Sequence, residues 1–225
     1  MRYSQKNHLN LGRTMTEWKG ARYWKNRPVE ERLKNSRIPK RFEPMTLDNY
    51  DKSVGDHDVH YAITTWLKHI DEHVSTGTGL YLFGGTGVGK THLAVGLLKK
   101  AVSENTLSGY FIPATTYIEM MYDELNNDGL LPDEYTNPYL SKYVRSVYDI
   151  VVLDGLGDEN ETEFTTRSIS NLIYQRVNAN LPTVITSLYN PKKLTMRYGE
   201  RFVSILQSAC RLVPVAGTDQ RNAGK

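Results

Sequence analysis

The chain has 225 residues, 39% hydrophobic and 24% charged, with a net charge of +3 at pH 7; this suits one α/β domain with a short appendage and a core able to hold it without disulfides. Its single cysteine, Cys210, excludes an internal disulfide and a multi-cysteine zinc site, and fits a reducing, cytoplasmic compartment. No apolar run reaches the about eighteen residues needed to cross a bilayer, and the opening MRYSQKNHLNLGR lacks a signal peptide's apolar centre, so neither membrane insertion nor secretion is expected.

The N-terminal end is basic: residues 1–41 hold twelve Lys and Arg against three Glu, which leaves the rest of the chain net acidic. Trp18, Tyr23 and Trp24 are interleaved with Lys19, Arg22, Lys25 and Arg27. That composition suits phosphate contact and base stacking; it equally describes a solvated tail or an arm that docks on an acidic protein. Pro28, Pro39 and Pro44 punctuate the adjoining stretch, placing a boundary between an arm at 1–37 and a domain at 38–225.

From residue 79 onward, short apolar runs alternate with helical patterns. Strands are predicted at 79–84, 109–114, 148–154, 182–187 and 212–217, and helices at 91–105, 115–125, 164–180 and 200–209. Strand followed by helix, repeated, implies an α/β fold with about five parallel strands and helices on both faces.

Gly84, Gly85, Thr86, Gly87, Val88, Gly89, Lys90 and Thr91 match G-x-x-x-x-G-K-[ST] between a predicted strand and a predicted helix. Glycines let backbone N–H groups wrap a phosphate chain, the helix N-terminus adds positive character, Lys90 reaches the outer phosphates and the Thr91 hydroxyl ligates magnesium. His92 follows at the head of the helix. A metal-bound triphosphate also needs a carboxylate at the end of a neighbouring buried strand; Ile150 to Leu153 followed by Asp154 supplies it. Hydrolysis further requires a group that orients water. Gly155 cannot do this, which leaves Asp158 or Glu159 in the following loop and predicts slow turnover.

The ordered set IPKRFEPMTLDNYD (38–51), GLYLFGGTGVGKTHLA (79–94), DIVVLDGLGDE (149–159), NLPTVITS (180–187), GERF (199–202) and TDQR (218–221) resembles the helicase-loader ATPases of the DnaC and DnaI type and the related IstB-type transposition helpers, within the AAA+ class of P-loop NTPases. The resemblance covers residues 38–222. It implies that Ile38, Arg41 and Phe42 pack near the adenine of ATP, and that Lys90, Thr91 and Asp154 hold triphosphate and Mg2+. Family members usually carry an acid directly after that aspartate, so Gly155 departs from the pattern; the resemblance implies that Glu159 matches the acid commonly seen a few residues later and that Arg221 touches the same nucleotide as a sensor. Ser187 or Asn190 would be the polar sensor after the fourth strand. Where the family carries an arginine finger this chain has Ile205, so Arg201 is the candidate in its place. The long connection at 115–147, with Tyr135, Tyr139, Lys142, Tyr143 and Arg145, corresponds to a region that contacts single-stranded DNA in such proteins; core packing is the alternative for these tyrosines.

The resemblance therefore implies an ATP-controlled loader of phage-like compactness. Its partners would be a replicative DNA helicase and single-stranded DNA, with self-assembly into a homo-oligomer in the helicase complex. A transposition helper with a transposase partner and a nucleotide-gated adaptor with little hydrolysis remain the alternatives. A small-molecule kinase is disfavoured because no arginine-rich lid segment is present.

Overall fold

Five of the apolar runs become strands of one sheet; four are buried along most of their length, whereas the last, at residues 210–215, forms an edge with Arg211, Leu212 and Pro214 exposed. The computed structural model describes residues 27–51, 56–126 and 144–220. In chain order the strands are β1 (Gly79–Gly84), β2 (Gly109–Pro113), β3 (Ile150–Leu156), β4 (Thr183–Ser187) and β5 (Cys210–Val215). Their order across the sheet is β2-β3-β4-β1-β5, and every neighbouring pair is parallel. The five-stranded parallel α/β expectation is met.

The helices are α1 (Val29–Asn35), α2 (His57–Lys68), α3 (Ile70–Thr76), α4 (Lys90–Glu104), α5 (Ala114–Asn126), α6 (Glu163–Asn178), α7 (Pro191–Tyr198) and α8 (Glu200–Ala209). Alternation along the strands divides them between two faces. Leu80, Leu82, Val152 and Val184 point into a core completed by α2, α3 and α4, where Ile63, Trp66 and Leu97 are buried. Tyr81, Val151, Leu153 and Ile185 point to the opposite core, completed by α5, α6, α7 and α8. No described helix is long and apolar enough to cross a membrane.

The N-terminal segment departs from expectation at its described end. α1, placed in the arm by the proline boundary, packs on α4 and β2. Arg32 is buried and its guanidinium donates to the Val102 carbonyl of α4. The chain leaving α1 then accepts a hydrogen bond at the Ser36 carbonyl from Phe111 N of the edge strand β2, at 2.8 Å. A cut between residues 37 and 38 therefore falls inside packed structure. The prolines that set the boundary bracket α1 without separating it from the domain: Glu30, Glu31, Arg32 and Lys34 dominate its sequence, but the buried Arg32 and the partly buried Leu33 carry its docking.

Parallel order fixes where chemistry can gather. All five strands end on one side of the sheet, and β4 lies between β1 and β3. The loops leaving β1 and β3 thus flank the end of β4, and a crevice at the carboxyl ends of parallel strands is the usual ligand position in such sheets.

Candidate nucleotide site

The loop after β1 turns sharply into α4 through Gly87 and Gly89, whose φ angles of +75° and +92° lie in the left-handed region that side chains disfavour. A Cβ on Gly87 would also collide with the Asp219 carboxylate, and one on Gly89 with the Tyr50 ring. The loop is thereby held between the segment before α2 and the segment after β5, whose Gln220 N donates to the Gly87 carbonyl at 3.0 Å. Lys90, at the head of α4, is buried and its Nζ donates to the Gly84 carbonyl at 3.0 Å and to that of Gly85.

Across the end of β4 stands Asp154. Its Oδ1 accepts from Thr91 Oγ1 at 2.8 Å and from Thr186 Oγ1 at 2.7 Å, while Thr186 Oγ1 itself accepts from Gly155 N at 2.9 Å. Burial raises the Asp154 pKa, and the two hydroxyl donors together with the positive charge of Lys90 oppose that shift. The adjacent Thr91 and Asp154 oxygens form the hard, oxygen-only donor pair that Mg2+ takes from a protein when phosphates and water supply the remainder. Left-handed glycines, a buried lysine, a helix N-terminus and this oxygen pair fit a magnesium-bound nucleoside triphosphate.

These groups line a cavity of about 660 Å³, within the usual range for small-molecule sites. Arg41, Phe42 and Met45 form one wall, Thr86, Gly87, Gly89, Lys90, Thr91 and His92 the floor, and Asp154, Gly155, Asp158, Thr186, Ser187 and Leu188 the far wall. Arg41 lies over the Phe42 ring at 4.5 Å, and Phe42 meets Phe111 edge-on. His92 is tied to the segment before α2, its Nε2 standing 2.8 Å from the Thr46 carbonyl and 3.0 Å from Asn49 Oδ1. Gly84 and Gly85 border a neighbouring recess with Asn190 and Lys193, and Val88 is buried beneath the loop.

Other expected residues lie elsewhere. Glu159 does not line the cavity: it is buried, its Oε2 accepts from Gly157 N at 3.0 Å, and its Oε1 accepts from Arg197 at 3.2 Å and from the Tyr198 hydroxyl. Burial followed by this carboxylate pushes the Tyr198 pKa up, so the phenol remains a donor. Glu159 is a clasp to α7, and the acid facing the cavity is its neighbour Asp158, whose pKa is raised by partial burial and then by the charges of Glu159 and Asp154. Arg201 is exposed in the first turn of α8, outside the cavity. Arg145 is half-buried, with Nη1 3.7 Å from Met121 Sδ on α5. Arg221, Tyr135, Tyr139, Lys142 and Tyr143 lie outside the described residues.

The two sensor candidates are engaged in local structure. Ser187 Oγ donates to the Leu156 carbonyl at 2.6 Å and accepts from Tyr189 N, while Asn190 caps α7 by accepting from Lys193 N at 2.9 Å. Thr186, inside β4 and absent from the expected set, is the residue that reaches Asp154. Thr186→Val keeps the shape of the strand and removes that donor. It is expected to weaken magnesium-dependent nucleotide affinity by roughly tenfold, the equivalent of about 1.4 kcal/mol, with a smaller change in magnesium-free binding. Equal losses with and without magnesium, in paired titrations, would assign Thr186 to packing.

Residues 10–203 match the family model described as IstB-like ATP binding protein. The chain is 28% identical over 133 residues to the replicative helicase loader DnaI of Bacillus subtilis, and 22% identical over 140 residues to the replicative helicase loader DnaC of Escherichia coli. These alignments cover 59% and 62% of the chain but 40% and 54% of the relatives, so the chain spans about half the length of the curated proteins it matches. A crystal structure of the DnaC helicase loader superposes with a TM-score of 0.68 at 27% identity, covering 79% of this chain and all of that one. A family model spanning most of the chain, together with the P-loop, Asp154 and sheet order described above, shows that this protein belongs to the IstB-like ATP-binding family.

Proposed function

We propose that the chain is an ATP-controlled loader that engages a replicative DNA helicase and helps place it on single-stranded DNA, with slow ATP hydrolysis acting as a switch. The observation that carries this reading is the gathering of Lys90, Thr91, Asp154 and Thr186 at one cavity, in a chain whose named relatives are replicative helicase loaders. Lys90 faces the β and γ phosphates, and Thr91 and Asp154 hold Mg2+, which when bound neutralises phosphate charge. Arg41 and Phe42 pack against the base. In this reading Arg201, exposed at the start of α8, would act on a neighbouring copy's nucleotide, and Arg221 on the chain's own. The basic N-terminal arm, together with Tyr139, Lys142, Tyr143 and Arg145, supplies contacts to partner or DNA.

The IstB-like family match favours one second reading, a transposition helper using the same site. Affinity purification of the full tagged chain from its native host, with and without ATP, separates the two. Recovery of a replicative helicase is expected, and recovery of a transposase in its place would establish the second reading. The DNA contribution to binding should fall as salt rises, because each neutralised phosphate releases counterions.

A further inference from the structure

Gly155 follows the metal-side aspartate at the point where a water-orienting acid would be most rigidly held. β3 carries one extra residue against β4 between the pairs Leu153↔Ile185 and Leu156↔Ser187, a bulge that re-aims the strand end. Gly155 takes a φ of +75° there, and Asp158 N donates back to the Gly155 carbonyl at 3.0 Å, closing a turn. That turn folds the Asp158 side chain over Gly155. The point where a Cβ on residue 155 would stand is 2.5 Å from Asp158 Oδ2. Any side chain at 155 would compete with this carboxylate for the same space.

The turn is fixed from behind as well. Glu159 Oε2 holds Gly157 N, and its other oxygen is held by Arg197 and Tyr198 of α7. Gly157, at φ +100°, lies against the Tyr189 ring, which leaves no room for a Cβ. Asp158 is therefore a loop residue on a braced turn, and it lines the same cavity as Asp154, Thr186 and Lys90.

We propose that Asp158, standing over Gly155, is the catalytic residue that orients the attacking water and accepts its proton, in place of an acid at the strand end. The inference rests on reading the cavity as an ATP site. The water oxygen bonds to the γ phosphorus as the bond from that phosphorus to the β,γ-bridging oxygen breaks; ADP leaves with the bridging oxygen, and the proton taken by Asp158 passes to the released phosphate. Gly155 is a positioning residue whose missing side chain admits the Asp158 carboxylate.

The test uses the full chain in four forms besides wild type: Asp158→Asn, Glu159→Gln, Gly155→Ala and the Gly155→Ala/Asp158→Asn double variant. Each is measured for single-turnover hydrolysis, for affinity toward a non-hydrolysable ATP analogue, and for thermal unfolding. Asp158→Asn is expected to slow hydrolysis by about 100-fold, the usual scale of a lost general base, with analogue affinity held within about twofold. Glu159→Gln should lower the unfolding temperature and slow turnover less than Asp158→Asn does. Gly155→Ala should slow turnover in the wild-type background and add nothing in the Asp158→Asn background, the non-additivity of two residues serving one function.

Hydrolysis by Asp158→Asn within about threefold of wild type, with analogue binding intact, would overturn the proposal, as would singles whose effects multiply in the double variant. A wild-type chain that binds the analogue but never turns over ATP would overturn the hydrolytic reading and this assignment together. One that binds no analogue would overturn the ATP site itself.

Discussion

Lys90→Ala is expected to weaken ATP affinity by about 100-fold or more, roughly 2.7 kcal/mol, while leaving the unfolding temperature almost unchanged. The side chain is buried at the head of α4 with its ammonium folded toward the Gly84 and Gly85 carbonyls, so the cation is already desolvated and aimed along the phosphate loop. Charge-assisted hydrogen bonds are worth about 1.5–3 kcal/mol each, and the outer phosphates offer more than one acceptor. The backbone cradle of Gly87 and Gly89 survives the substitution, which is why the fold should not suffer. Isothermal titration of both forms with ATP and magnesium decides the matter; equal affinities would remove the loop from the nucleotide site.

The second large effect concerns stability. Arg176 of α6 is fully buried, and its guanidinium donates to the carbonyls of Val144 at 2.8 Å, Tyr148 at 3.1 Å and Pro182 at 3.0 Å, and to Thr183 Oγ1 at 2.9 Å. Burial pushes its pKa down to about 9, with the Asp149 charge resisting the shift, so it is a cation at pH 7. The Asp149 carboxylate is itself held by Ser108, through N at 2.8 Å and Oγ at 2.7 Å. One side chain thus ties the segment entering β3, the turn into β4 and the end of α6. Arg176→Ala leaves several buried acceptors without their charged donor, a loss of about 3 kcal/mol, at roughly 1–3 kcal/mol for each acceptor left unsatisfied. Urea unfolding should show the midpoint displaced accordingly, and a loss below about 1 kcal/mol would mean that water replaces the guanidinium.

The strands and the phosphate loop are legible in the chain because local rules determine them. Buried parallel strands read as unbroken apolar runs, as in IVVL at 150–153, and left-handed turns demand glycine, as at Gly87 and Gly89. The helix α2 is not among the predicted elements although its signals exist: Asp56 caps it by accepting from Val59 N, and Val59, Ile63, Trp66 and Leu67 are buried at helical spacing. Ile63, Thr64, Thr65 and Trp66 are strand-favouring residues, and packing against α4 outweighs that preference. The helix α7 is signalled by Asn190 and Pro191 in the same way.

The site's missing members have a different cause. Thr186 sits in TVITS, where its β-branched side chain reads as ordinary strand material; it meets Asp154 only because β4 is inserted between β1 and β3, which no local pattern encodes. Asp158 and Glu159 are adjacent acids that composition treats alike. A bulge and two left-handed glycines send the first toward the cavity and the second into the interior.

The hydrogen bond from Phe111 N to the Ser36 carbonyl has a bearing on solubility. β2 ends the sheet, and an uncovered edge strand is a template for adding another chain's strand. The segment leaving α1 occupies part of that edge, with Ser36 itself fully buried and its hydroxyl returned to the Arg32 carbonyl. Shortening the basic arm as far as residue 26 spares this cover, whereas shortening it to residue 37 strips the edge and removes Arg32 from Val102, so the shorter product would be prone to sheet-to-sheet association even with every nucleotide contact in place.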